Sequence, residues 1–182
     1  MFSDGSTDYE SIGTGSCAAV LLPLLTTEDE ILSTEAFCAL TDNIEARVRG
    51  IALALDMAIH YFSSRSPGNV RDKLFILCDC LSAINIVLRH DDVDSHINVS
   101  ERVRSLLHTL NNLDVDVTLG LIPGHSDIYY NDLVDSKAKT ARHTKVTQLY
   151  HIWIGCSLMS VWIGVWDTPC MDTPLYLYVQ DL

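Results

Sequence analysis

The sequence predicts an α/β fold in which helices pack on a mixed sheet. Three observations carry this expectation. Strand-like runs open the chain, the apolar period then changes from strand-like to helical, and helical and strand-like segments alternate from there on. Residues 2–7 (FSDGST) form a short first run. Residues 16–25 (SCAAVLLPLL) and 31–40 (ILSTEAFCAL) read as two strands with a turn at 26–29, and Pro23 puts the end of the first of these at an edge or bulge. From about Asn43 the period is helical, with Ile44, Val48, Ile51, Ala52, Leu55, Ile59 and Phe62 on one stripe, and 63–69 (SSRSPGN) stops it. Residues 74–78 (LFILC) are the unbroken apolar run of a buried strand. A short helix follows at 82–88, then a polar loop at 90–96. A second helix spans about 99–113, carrying Val103, Leu106, Leu107 and Leu110. Residues 115–122 (VDVTLGLI) alternate like a strand, and Asn131 is expected to cap a last helix that reaches about 146. The predicted order is β-β-β-α-β-α-α-β-α, without internal repeats.

This pattern divides the chain into a domain at 1–146 and a tail at 147–182. Within the tail, residues 152–166 (IWIGCSLMSVWIGVW) are fifteen residues without a charge. That is shorter than the roughly 20 residues a spanning helix needs, so no stable membrane insertion is expected and a buried packing element is the simplest reading. Residues 167–182, with Pro169 and Pro174, read as irregular.

The chain has 182 residues, 48% of them hydrophobic and 20% charged, which is enough for a genuine core. A net charge of −12 disfavours nucleic-acid binding unless something specific offsets it. Cys17, Cys38 and Cys78 lie in apolar runs, as buried reduced thiols do, and Cys78-Asp79-Cys80 is too short a spacing for a zinc knuckle. No secretory signal opens the chain, which starts polar with Asp4, Asp8 and Glu10; an intracellular setting, cytoplasmic or nuclear, is expected.

Four acids stand where this fold could bring them together. Asp4 ends the first run, Glu45 lies in the first turn of the long helix, Asp79 follows the buried strand, and Asp135 lies on the last helix. Four carboxylates in one cleft repel unless cations sit among them, and hard oxygen ligands select Mg²⁺ or Mn²⁺. Two such ions are the arrangement that clamps attacking and leaving oxygens in phosphodiester hydrolysis. Taken singly, each acid has a simpler reading: a turn before Gly5 for Asp4, the helix dipole for Glu45, a helix cap for Asp79, and surface charge for Asp135. His125 is equally at home as an ordinary loop histidine.

FSDGST, NIEARVRGIALAL, LFILCDCLSAI and PGHSDIYYNDLVDSKAK, in that order, resemble the four signature blocks of type-1 ribonuclease H, in the style of the ribonuclease H domains of retroelement polyproteins. The resemblance spans 1–146. It implies a ribonuclease H-like, five-stranded mixed sheet with the first strand central and helices on both faces. It also implies hydrolysis of the RNA strand of RNA–DNA hybrids by two Mg²⁺ ions, for which Mn²⁺ can substitute. Carried over, Asp4, Glu45, Asp79 and Asp135 would be the metal-binding carboxylates, and His125 would assist proton movement or product release. Gly5, Ser6 and Asn131 would lie along the nucleic acid, and a linked reverse transcriptase would be the natural partner.

The chain departs from the family pattern in several places. Cys80-Leu81 stands where Ser-Gln is common, and Asp127 and Tyr130 stand where glycines are usual. No basic handle is evident beyond Lys137, Lys139, Arg142 and Lys145, which also suit a solvated helix face. Only Met1, Phe2 and Ser3 precede Asp4, so a truncated first strand is expected, as in a fragment or a decaying copy. The alternative function is therefore a catalytically weak or inactive remnant acting as an interaction or scaffold module. Another two-metal nuclease on the same fold, cutting DNA junctions, is a third reading.

Overall fold

The computed structural model describes residues 1–7, 14–23, 31–38, 42–65, 70–88, 97–142, 147–154, 157–164 and 178–180. Strands β1 (Phe2–Thr7), β2 (Thr14–Leu21) and β3 (Ile31–Cys38) are followed by helix α1 (Asn43–Ser63), strand β4 (Asp72–Cys78) and helices α2 (Leu81–Leu88) and α3 (Ile97–Asn112). Strand β5 (Val115–Leu121) and helix α4 (Tyr129–Ala141) complete the unit. The five strands form one sheet in the order β3-β2-β1-β4-β5, with β1 central. Pairing is antiparallel from β3 to β1 and parallel from β1 to β5, so the mixed sheet predicted by the element order is present. The turn at 26–29 and the loop at 90–96 lie outside the described residues, as do Cys156, Cys170 and Lys145.

The two-residue period of β2 builds both faces of this sheet. Cys17, Ala19 and Leu21 point into a core shared with α1, α2 and α3, including Val48, Ile51, Leu55, Ile76, Val103 and Leu110. Ala18 and Val20 point the other way and meet Val134 and Ala138 of α4. The Ser16 hydroxyl donates to the Ala138 carbonyl and fastens α4 to β2. Cys17 and Cys78 are buried free thiols, and burial pushes the Cys78 thiol up to about 12.

The two edges of β1 are paired unequally. Against β2 the strand pairs along its whole length, from Phe2↔Val20 to Thr7↔Gly15. Against β4 only Phe2↔Leu77 pairs, supported by the Leu77 N–H donating 2.9 Å to the Met1 carbonyl. β4 ends one residue later, at Cys78, so Asp4 lies beyond the β1–β4 ladder.

Helix α1 lies almost directly on β1, and two glycines allow it. A Cβ added at Gly5 would stand 2.1 Å from the Ala46 carbonyl, and one added at Gly50 would stand 2.6 Å from the Asp4 carbonyl oxygen. Both obstacles are main chain, so no side chain can swing aside. Gly5→Ala is therefore expected to cost about 3 kcal/mol of stability, at the upper end for an overpacked site. Urea denaturation measures this, and a loss below about 1 kcal/mol would contradict so close an approach.

Two sequence expectations need correction. Asn131 is not the cap of α4: the helix starts at Tyr129 behind Ile128, whose extended backbone supplies no side-chain hydrogen bond. Asn131 lies within the first turn, is buried, and has no partner for its Oδ1. In the tail, a three-stranded antiparallel sheet is formed by β6 (Thr147–Ile154), β7 (Ser157–Gly164) and β8 (Tyr178–Gln180). The apolar run at 152–166 thus contributes two paired strands, and the stretch expected to be irregular contributes a third. Short apolar runs do not separate helix from strand by periodicity, and this one is rich in the β-branched and aromatic residues that favour strands. Among the described residues no helix is long and apolar enough to cross a membrane.

Candidate functional site

Asp4 and Asp79 stand where the β1–β4 ladder stops, and the charge of a third predicted acid, Asp135, is felt at Asp4. Asp4 is in the middle of β1 and is 1% exposed. Its Oδ1 accepts from the Gly5 N–H at 2.8 Å. Asp79 follows the last residue of β4, at the strand's carboxyl end, where open α/β sheets place their ligand sites. Asp135 projects from the second turn of α4, and its negative charge, like that of Asp79, acts on Asp4.

The cation among these acids belongs to the chain itself. Arg47 Nε lies 3.1 Å from Asp4 Oδ1 and 3.6 Å from Asp79 Oδ1. The first is a hydrogen-bonded ion pair and the second is Coulombic only, since Asp79 Oδ1 is buried without any hydrogen-bond partner. Burial raises the pKa of Asp4 from its ordinary 3.8 to about 6; the attraction of Arg47 opposes this, and the repulsion of Asp79 adds to it. Burial also works against the charge of Arg47, but Asp4 and Asp79 outweigh it and hold the guanidinium more firmly protonated.

Glu45 does not join the other three. It pairs with Arg49 one turn along the helix, with Oε1 3.0 Å from Nη2. Its own N–H donates to the capping carboxylate of Asp42 at 2.8 Å. The simpler reading of Glu45, an acid in the first turn of a capped helix, is the one that fits. Helix geometry gives the reason. Positions 45 and 47 are roughly 200° apart around the axis, and the 47–50 face is the one pressed against β1. Sequence reasoning therefore passed over Arg47, although a signal was present: Arg47 lies three residues after Ile44 and four before Ile51, on the predicted apolar stripe itself.

The loop between β5 and α4 passes over Asp79. The Ile122 N–H donates to the Cys78 carbonyl at 3.1 Å, so the chain runs alongside β4 before turning away through Pro123-Gly124. A Cβ at Gly124 would lie 2.9 Å from Asp79 Oδ2, which explains the glycine. His125 follows, exposed, with φ of 50°, and Asp127 has φ of 55°. Asp and His are among the few side chains that tolerate this left-handed region. Tyr130 rests its ring 5.7 Å from that of Phe2.

The remaining expectations are placed as follows. Gly5 lies beneath Ala46, and the Ser6 side chain is buried. On α4, Lys139 Nζ is 2.6 Å from Asp135 Oδ2, and Arg142 donates 2.9 Å to the Thr7 carbonyl. Lys139 and Arg142, two of the four basic residues on the last helix, are thus engaged within the domain. Among the described residues no group of three or more His, Cys, Asp or Glu is arranged to hold a metal ion.

No family model and no curated protein sequence matches the chain. Solved structures do. The ribonuclease H1 of the halophilic archaeon Halobacterium salinarum NRC-1 is similar with a TM-score of 0.53 at 19% identity, over 77% of this chain and 93% of that one. The N-terminal ribonuclease H domain of a Mycobacterium tuberculosis protein, solved as a fusion with maltose-binding protein, is similar with a TM-score of 0.53 at 14% identity, over 76% and 91%. The five-stranded mixed sheet with helices on both faces is thus the fold of these ribonuclease H structures.

Proposed function

We propose that the chain is a ribonuclease H-type domain whose cleft is shaped for RNA–DNA hybrids and whose hydrolysis is suppressed by Arg47. The observation that carries this reading is Arg47 seated between Asp4 and Asp79 where the β1–β4 ladder stops, with the charge of Asp135 also felt at Asp4. Hydrolysis of the RNA strand would use Mg²⁺ or Mn²⁺ held by acidic side chains, which stabilise charge on the attacking and leaving oxygens. Asp4, Asp79 and Asp135 offer such donors, and the unpartnered Asp79 Oδ1 has a free acceptor site. The set as it stands does not fit two ions, because Glu45 is held by Arg49 and a guanidinium lies between two of the three aspartates. His125, one residue beyond the glycine that clears Asp79, is the group on this loop suited to moving a proton as product leaves.

The 1–146 unit is the part that would meet the hybrid. Its net charge and engaged lysine and arginine favour delivery of substrate by a linked partner such as a reverse transcriptase over capture from solution, and a retroelement origin is consistent with that dependence. Within 147–182 the described strands β6, β7 and β8 pair with one another, in keeping with a tail separate from that domain.

Substrate class is tested with Arg47→Glu protein given matched substrates in Mg²⁺ or Mn²⁺. Cutting is expected in the RNA strand of a hybrid, not in single-stranded RNA or in the DNA strand, and it is expected to vanish when Asp79→Asn is added. Cutting of DNA junctions instead would identify a different nuclease on the same fold. A folded, metal-binding variant that cuts nothing would leave the scaffold reading.

A further inference from the structure

We infer that Arg47 is a built-in counter-ion that takes the cation position of the acidic cleft, so that the domain holds its aspartates together without a divalent ion. This deepens the proposed function and rests on it for the identity of the site, but the claim concerns ion binding and not cleavage.

The geometry separates Arg47 from an ordinary surface partner. Its guanidinium enters where the β1–β4 ladder stops, pairs with a carboxylate that is 2% exposed, and faces a second that is 10% exposed. The same pattern holds for the other acids, since Lys139 pairs with Asp135 and Arg49 with Glu45. Each carboxylate that could have contributed to a metal centre has an internal cation, and Arg47 serves two of them. A guanidinium and a divalent ion cannot share this space, because both need the Asp4 oxygens and repel each other at such separations.

It follows that position 47, not position 45, is where a fourth ligand would have to stand. It shares the β1-facing side of α1 with Gly50, whereas Glu45 is turned toward Arg49.

The test is a Mn²⁺ titration followed by paramagnetic broadening of backbone amide signals, with the wild-type full chain as the primary sample. The wild type is expected to show no selective broadening at Gly5 or Cys80. Arg47→Glu, or the uncharged Arg47→Gln if the charge reversal does not fold, is expected to show it. In Arg47→Glu, Mn²⁺ should bind more than about tenfold tighter than in the wild type, since a full charge near the ion is reversed. Adding Asp79→Asn should remove the effect, and adding Glu45→Gln should not. Selective broadening in the wild type overturns the inference. Its absence in every folded position-47 variant also overturns it, because Arg47 would then not be what excludes the ion. Cleavage is not read here: a variant that gains Mn²⁺ but cuts no hybrid counts against the substrate assignment alone.

Discussion

Arg47→Glu is expected to raise the rate of RNA-strand hydrolysis in an RNA–DNA hybrid at least about a hundredfold over the wild-type chain, roughly 2.7 kcal/mol of barrier. The substitution removes the cation that Asp4 and Asp79 now share and supplies a carboxylate on the face of α1 that reaches them. Removing a single preorganised charge contact at a reacting phosphate or oxyanion typically costs two to three orders of magnitude, so reinstating one warrants an effect of this size. Charge repulsion accompanies the gain. Three carboxylates would then meet around Asp4 with no internal cation, and the variant should melt earlier in EDTA than in Mn²⁺. Gel-resolved cleavage at saturating Mg²⁺ measures the gain, and equal rates for the two proteins would remove Arg47 from the account.

The second large effect concerns pH. Asp4 has its pKa raised to about 6 by burial, above its ordinary 3.8. A raised folded-state pKa means that the stability the group contributes is complete below pH 3.8 and is lost as pH rises through about 6. The difference corresponds to roughly 3 kcal/mol of strain at neutral pH from the ionised carboxylate. Asp4→Asn keeps an acceptor for the Gly5 N–H and for Arg47 but cannot ionise. Its stability relative to the wild type should therefore climb by roughly 3 kcal/mol between pH 4 and pH 7.5. Urea denaturation at a series of pH values reads this directly, and parallel curves for the two proteins would contradict it. Buried acids held at such a cost concentrate at functional sites.

The sheet was legible in the sequence because each of its strands announces itself locally. Residues 74–78 could be little but a buried strand, and the helical stripe from Ile44 to Phe62 is α1 itself. The site was half legible. Asp4 lies within the first strand-like run and Asp79 just past the end of a buried one, where short-range pattern determines position, and Asp135 follows from the last helix. Glu45 was misplaced because one turn of helix offers two charged residues on opposite sides, and their phase against β1 depends on Gly5 and Gly50 meeting the other chain segment. That contact is tertiary and leaves no mark on composition. Asn131 failed as a cap for a similar reason, since the turn through His125 and Asp127 brings Ile128 to the helix start.

The most direct measurement is a crystal structure of the wild-type domain grown with Mn²⁺, with anomalous scattering used to locate the metal. The account predicts the Arg47 guanidinium within ion-pair distance of both Asp4 and Asp79 and no anomalous peak between them. A Mn²⁺ peak bridging those carboxylates, with Arg47 displaced toward solvent, would contradict it.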